Sequence, residues 1–337
     1  MTGGAGYIGR VLVPKLVEKG YDVTVLDRNF LNPAEMENPF AHLNVKFIKE
    51  DIRYFDPNLL RNKDAVVDLA ALSNDPSGEL DPIRTWDINY VGRSRVCRLA
   101  KKLGVERYIV SSSTSVYGFR DEISDESTTP NPLTTYAEAN VAIEKDILIL
   151  KEKSFAPTAL RFATAFGYSP RMRLDLAINA MTFNAVKFKK VKLMKDGEQY
   201  RPFVHVLDIS NAVASALNAE KEKVSGEVFN VGSENLNVKL IDLAHIITKV
   251  TRIGDSIEWY GDPDKRSYRG SFEKIRTRLG YKTEVDIEYG VKEIKEKIDN
   301  RTLEDRPEYH TVEYYKKLLD AKQLIDRYGY SMNANVL

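Results

Sequence analysis

Along the first half of the chain, short runs of β-branched and aliphatic residues alternate with stretches whose apolar positions recur at helical spacing. YDVTVLD, VKFIKED, DAVVDLAAL and RYIVSSS read as strands, and VLVPKLVEKG and NYVGRSRVCRLAKKLG read as helices. Strands separated by helix-length segments form βαβ units, so the pattern predicts a parallel sheet flanked by helices. After Phe162 the pattern changes. A loop, GYSPRMRLDL, precedes a helix over about 175–188, a strand PFVHV, a helix DISNAVASALNAEK, a short strand EVFNVG, a helix from Val238 and a helix YGVKEIKEKI. Near the C-terminus, Tyr314, Leu318, Ala321 and Ile325 share one face of an amphipathic helix. We read residues 1–165 as one domain, rejoined by 203–233. Residues 166–202 and 234–300 form a smaller discontinuous α/β lobe, and 301–337 a helical extension.

Composition narrows the ligand classes. With 43% hydrophobic and 29% charged residues among 337, the chain has the profile of a globular protein rather than a disordered tail or a fibre. Fifty Lys and Arg against 49 Asp and Glu leave a net charge of +1. No global field draws the protein to nucleic acid or to an anionic membrane, and an anionic ligand must be met by local cations. The one cysteine, Cys97, lies on an apolar helical face and reads as a buried, inert thiol. Without a cysteine pair there is neither an intramolecular disulfide nor a cysteine-based metal site, so the cytoplasm is the expected compartment. No apolar run reaches the length of a membrane span. His205, inside the strand PFVHV, reads as a core histidine. His42, His245 and His310 share no metal-ligand spacing with carboxylates, so no metal is expected.

The first chemistry-bearing motif is TGGAGYIGR, with Gly3, Gly6 and Gly9 spaced directly before a helical pattern. Glycines let the backbone turn tightly and approach a pyrophosphate, whose charge then rests on the helix N-terminus; Tyr7 and Ile8 lie within the same loop. The next strand ends in Asp27, 18 positions after Gly9, where a carboxylate would accept both adenosine ribose hydroxyls. An acid there repels a 2′-phosphate, so NAD is favoured over NADP, with Arg28 next to it as the one opposing feature. Asp51 and Ile52 would line the adenine pocket, and LAAL, with Leu69, Ala70 and Ala71, would pass under the cofactor.

With these blocks in place, the sequence resembles the extended short-chain dehydrogenase/reductase family, within it the nucleotide-sugar epimerases and dehydratases of the UDP-galactose 4-epimerase type. The resemblance runs from TGGAGYIG through LAAL, SSSTSVYG, TTYAEAN, LRFATAFG and RPFVHVLDISNA to FEKIRTRLGY. It implies a Rossmann-type doubly wound parallel sheet with a smaller substrate lobe, and a homodimer. It also implies a reaction in which NAD takes a hydride from a sugar carbon, usually C4, while a tyrosine takes the hydroxyl proton. The matching tyrosine is Tyr136, and Ser111 and Phe162 would flank the cofactor. In the family a lysine four residues later lowers the tyrosine pKa by its charge. Here that position is Asn140, and Lys145, nine residues after Tyr136, does not substitute. Asparagine can hydrogen-bond ribose hydroxyls but carries no charge. Three explanations stay open: a site in which NAD itself supplies the field, a replaced lysine, and a catalytically weak NAD-binding homologue.

Ser113 matches the hydroxyl that meets substrate and tyrosine, with Thr114 the slip-by-one alternative. Family 4,6-dehydratases carry acids directly after it; Thr114 and Ser115 stand there, which argues for hydride transfer at one carbon, most simply C4 epimerisation, with a 4-dehydrogenase or 4-keto reductase as the alternative. The resemblance gives the diphosphate clamp to Arg201 and Arg266, the latter beside Lys265 and Arg269. Thr164, Arg173 and Asp175 are further candidates for the nucleotide-diphosphate sugar, Asp175 serving equally well as a helix N-cap. Finally, the glycine loop follows only Met1 and Thr2, too little for the strand that precedes such loops. The expectation is that residues before Met1 are missing, with a gap or a substitute strand beside VTVL.

Overall fold

In the computed structural model, which describes residues 1–32, 38–262 and 266–328, six parallel strands meet in the main sheet. Val45–Ile48 pairs with Val23–Leu26, while Ala65–Asp68, Arg107–Ser113, Ala156–Phe162 and Glu227–Val231 follow one another on the other side. Residues 1–3 join the two halves. Thr2 N–H donates to Val67 O (3.0 Å), Gly3 N–H to Leu26 O (2.9 Å), and Leu26 N–H to Met1 O (2.8 Å). Among the described residues, this short segment is what joins Val23–Leu26 to Ala65–Asp68. The Met1 α-amino group donates to Thr24 O (2.7 Å) at its edge.

Ala156–Phe162 is buried at every residue, as a strand covered by helices on both faces must be. On one face Leu12, Val13 and Leu16 of the helix Gly9–Glu18 pack with Ile209, Val213 and Leu217 of Val206–Asn218. On the other, Val96, Cys97 and Ala100 of Arg93–Lys102 pack with Ile143 and Ile147 of Thr135–Leu148. The predicted helix over NYVGRSRVCRLAKKLG is in fact two pieces: a π-helical turn, Asp87–Gly92, runs into Arg93–Lys102.

Beyond the sheet edge, Thr164–Phe166, Tyr200–His205 and Asn237–Lys239 make a separate three-stranded sheet. Phe203 to His205 therefore sit there, and the chain rejoins the main sheet with Val206–Asn218 and Glu227–Val231. Helices Ala177–Phe188, Leu240–Thr251 and Ile287–Asp299 close over this small sheet. His205 is fully buried against Glu293 (3.1 Å) and caps Val206–Asn218. Among the described residues no helix is long and apolar enough to cross a membrane.

Candidate active site

A cavity of about 400 Å³ opens at the C-terminal ends of the parallel strands, where loops from both halves of the chain converge. Its floor begins at the glycine loop. Gly3 has a φ of +67°, and a Cβ there would lie 2.5 Å from Ala70 N; one on Gly9 would lie 2.2 Å from Gly4 O. Only glycine fits either place, and the helix Gly9–Glu18 starts at once with its N-terminus toward the cavity rim. Tyr7 is tied to the far side, its hydroxyl donating to Gly167 O (2.7 Å) while its carbonyl accepts from Ser169 Oγ (2.8 Å).

Asp27 lines the same cavity, its carboxylate accepting from Ala5 N–H (2.9 Å) and Asn29 N–H (2.8 Å). Burial pushes its pKa up, against the pull of those two amides. Arg28, the residue that opposed the preference for NAD, turns to Asp51 (3.3 Å) and lies over the Phe30 ring. Asp51 is held more tightly by Arg53, through contacts of 2.8 and 3.0 Å. Burial raises its pKa, but the Arg53 hydrogen bonds and charge outweigh that and hold it low. Ile52, Leu69, Ala70, Ala71, Ser111 and Phe162 complete this half. A glycine cradle with no room for a Cβ, a helix N-terminus and an acceptor carboxylate 22 residues from the loop amide it binds form a set of donors and an acceptor that fits NAD.

Tyr136 enters from the first turn of Thr135–Leu148. Thr134 caps that helix, accepting from Ala137 N–H (3.2 Å) while its hydroxyl donates to Asp75 (2.5 Å). The tyrosine lines the cavity with Ser113, whose hydroxyl accepts from Ser115 N–H (3.1 Å). Burial and the charge of Asp75 push the Tyr136 pKa up; the Asn140 side chain, the charge of Arg93 and the Ser113 hydroxyl pull it down. Asn140 and Thr114 do not line the cavity. Asn140 lies behind it, 1% exposed, and Thr114 turns its hydroxyl to Phe162 O (3.3 Å).

On the substrate side, Thr164, Arg173, Asp175, Arg201 and Arg266 all reach the cavity. Arg201 donates to the Arg266 carbonyl and stacks on Tyr268, and Arg266 pairs with Asp75 (2.7 Å). Lys265 lies outside the described residues. Asp175 is not a helix cap: Leu176 holds the N-cap position of Ala177–Phe188, and Asp175 forms a bidentate pair with Arg173 (2.6 and 3.0 Å). Arg173 also reaches Ser73, and Asn74 donates to Asp175 (2.8 Å), so this pair is a brace between the two halves. Arg171, whose pKa burial and the charge of Arg173 pull down to about 10, donates to Thr311 Oγ1 (2.9 Å) and Glu308 O (3.3 Å). The helix Thr311–Tyr328 is thereby tied to the loop that carries Arg171, and Tyr315 against Phe30 brings it onto the cofactor half.

Three contributors have no counterpart in the sequence reading: Asp75, Ser73 with Asn74, and Arg93. The first two belong to the short helix Asp75–Leu80 and its cap, too brief to show a period. Arg93 did leave a signal, since it stands three residues before Val96 and four before Cys97 on a face otherwise apolar.

A family model, NAD dependent epimerase/dehydratase family, matches residues 1–232. The chain belongs to that family. Members of the NAD-dependent epimerase/dehydratase family similar to it include the UDP-glucose 4-epimerase of Streptococcus mutans, 28% identical over 85% of this chain and 92% of that protein. The UDP-glucuronic acid decarboxylase 1 of Xenopus tropicalis is 27% identical over 86% of this chain and 69% of its own length. Among solved structures, MoeE5 in complex with UDP-glucuronic acid and NAD superposes with a TM-score of 0.79 at 26% identity, covering 90% of this chain and 98% of that one. Membership makes the chain an NAD-dependent enzyme with the Rossmann-type sheet seen here.

If Asp27 holds the adenosine ribose, Asp27→Asn removes charge-assisted hydrogen bonds of about 1.5–3 kcal/mol. The dissociation constant for NAD is then expected to rise roughly 10- to 100-fold and the preference over NADP to narrow, as read by fluorescence titration with both cofactors. Unchanged affinity and preference would remove Asp27 from the cofactor site.

Proposed function

We propose that the protein modifies a nucleotide-linked sugar by hydride transfer at one sugar carbon, and that the reaction is C4 epimerisation with Tyr136 as the base. The observation that carries this reading is the placement of Tyr136 and Ser113 together on the cavity wall, directly beside a cofactor cradle, with Thr114 and Ser115 where a dehydratase needs acids. The relatives support the substrate class: one is a UDP-glucose 4-epimerase, another a UDP-glucuronic acid decarboxylase, and MoeE5 holds UDP-glucuronic acid and NAD together.

The cradle of Gly3, Gly6 and Gly9 with Asp27 would hold NAD, whose chemistry there would be reversible hydride exchange with the sugar carbon. The chain's own groups do the rest. Tyr136 takes the hydroxyl proton as the carbon is oxidised and returns it on reduction, and Ser113 holds the same oxygen by a hydrogen bond. Arg201 and Arg266, from opposite ends of one cluster, present two forked donors to the diphosphate, which a near-neutral protein cannot attract by net charge. Thr164 faces the sugar. The carboxylates on the substrate side are committed, Asp75 to Arg266 and Asp175 to Arg173, leaving neither free to shuttle protons at a neighbouring carbon. The reading includes a homodimer working in the cytoplasm.

The test is product analysis by NMR after incubation with UDP-, GDP-, dTDP- and CDP-sugars, together with absorbance of the reduced cofactor. An epimer formed with no net reduced cofactor is the expected result. Stoichiometric reduced cofactor, an eliminated product or a decarboxylated one would replace C4 epimerisation by the corresponding reaction.

A further inference from the structure

The resemblance assigns to position 140 a positive charge that asparagine cannot carry, yet the site contains one. Arg93 is completely buried and lines the cavity, although it lies 47 residues before Asn140 in the chain. Its Nη1 donates to Asn140 Oδ1 (3.4 Å), and its Nη2 donates to Ser111 Oγ (3.1 Å), the Ser111 carbonyl and Asp68 O (3.3 Å). The π-helical turn Asp87–Gly92 leads straight into this residue, an insertion of the kind that re-aims side chains at functional sites.

Arginine carries donors only, so the Asn140 atom facing it is the amide oxygen. That fixes the amide the other way round on its far side. Nδ2, buried and without a hydrogen-bond partner among the described residues, is left as a donor, and its influence on Tyr136 favours the ionised phenol. Tyr136 and Asn140 are one helical turn apart on one face of Thr135–Leu148, which brings the phenol and the amide together.

The charges around this group come from several elements. Asp68, on the strand Ala65–Asp68, lies 3.7 Å from Arg93 Nε but also accepts from Thr2 Oγ1 (2.6 Å) and the Tyr108 hydroxyl. Its negative charge is thus shared among donors on the sheet side, while the Nη end of Arg93 faces Asn140 and Ser111. Asp75 opposes ionisation of Tyr136 and is itself paired with Arg266; Arg173 lies near enough to Tyr136 to interact with its charge. We propose that Arg93 is the positioning cation of this site, holding a fixed positive charge behind Tyr136 and orienting the Asn140 amide, the two tasks the resemblance gives to one lysine.

The inference rests on Tyr136 being the base, and its test is chosen to be readable without turnover. The phenol of Tyr136 is titrated by ultraviolet absorbance as the difference between a protein and its Tyr136→Phe counterpart, with and without NAD, alongside the pH profile of the rate. Arg93→Met should raise the Tyr136 midpoint by about 1–3 pH units, the effect of removing a neighbouring opposite charge. Because that change leaves Asp68 buried without its cation, the single variant risks unfolding, so Arg93→Met/Asn140→Lys is made in parallel. Moving the cation to position 140 should restore folding, return the midpoint to within about half a unit of the parent and restore the pH profile. If Arg93 is only structural, the single variant keeps the parent midpoint. In that case the double variant, now carrying an added cation, titrates more than one unit below the parent; either result overturns the proposal. Failure of the double variant to fold also overturns it, since lysine at 140 would then not replace arginine at 93. Absence of epimerase turnover with the expected titration shifts would count against the proposed reaction and leave the assignment of Arg93 standing.

Discussion

Tyr136→Phe is expected to lower kcat by about 10²- to 10⁴-fold, the usual contribution of a positioned general base, while NAD affinity stays within a few fold. The ring is retained, and the helix cap at Thr134 is made to Ala137 N–H without the Tyr136 hydroxyl. Tyr136 must give up its proton before it can take one from the sugar, so the rate follows the phenolate fraction. Burial and Asp75 push that pKa above its ordinary value of about 10, and Asn140, Arg93 and Ser113 pull it back only partly. The sign is therefore fixed: the rate of the parent protein rises with pH through neutrality into the alkaline range. The residual rate of Tyr136→Phe loses this dependence. A flat profile for the parent, or a Phe variant with full activity, would dismiss Tyr136 as the base.

The second large effect concerns stability. Arg161, on the strand Ala156–Phe162, meets Glu144 through Nη2 at 2.6 Å and Nε at 3.0 Å, with both side chains almost fully buried. Ser112 donates to the same carboxylate, and Arg161 Nη1 donates to the Tyr117 hydroxyl (2.9 Å), which in turn reaches Asn230 (2.8 Å). Removing one partner of such a pair strands the other charge in the core. Arg161→Met should cost about 3–5 kcal/mol in chemical denaturation, whereas Arg161→Met/Glu144→Leu, which leaves no orphan charge, should recover a substantial part of that loss. A loss below about 1 kcal/mol in the single variant would mean that solvent reaches the pair. Glu144 follows Tyr136 and Asn140 at successive turns of one helix face, so this network anchors the helix that carries the phenol.

The parts of the site that could be recognised from sequence share a physical property: the partners they need are backbone groups or ligand atoms placed by local geometry. Gly3 and Gly9 are required by a turn a few residues long, and Asp27 stands at a strand end whose position follows from one βα unit. Tyr136 lies in the first turn of a helix, two residues after its cap Thr134. The parts that could not be recognised depend on which side chains meet across the fold. Arg173 and Asp175, two residues apart, read as a possible clamp and a possible cap because nothing local shows that they face each other; the loop following Ala163 decides it. Asp75 was hidden because a six-residue helix has too few positions to display a period.

The amino-acid sequence was enough to show a parallel sheet that presents a glycine-rich turn, an acid at the end of the next strand and a tyrosine at the start of a helix, because strand alternation, helical spacing and turn chemistry are written over short windows. It also showed that the usual lysine is replaced by Asn140. That Arg93 stands beside Asn140 became visible with the fold. Arg93 and Asn140 are on different helices, and their approach depends on the π-helical turn before Arg93 and on the stacking of Arg93–Lys102 against Thr135–Leu148. A single residue type at one position is a local statement, whereas an electric field at a phenol is a sum over everything the fold brings near it.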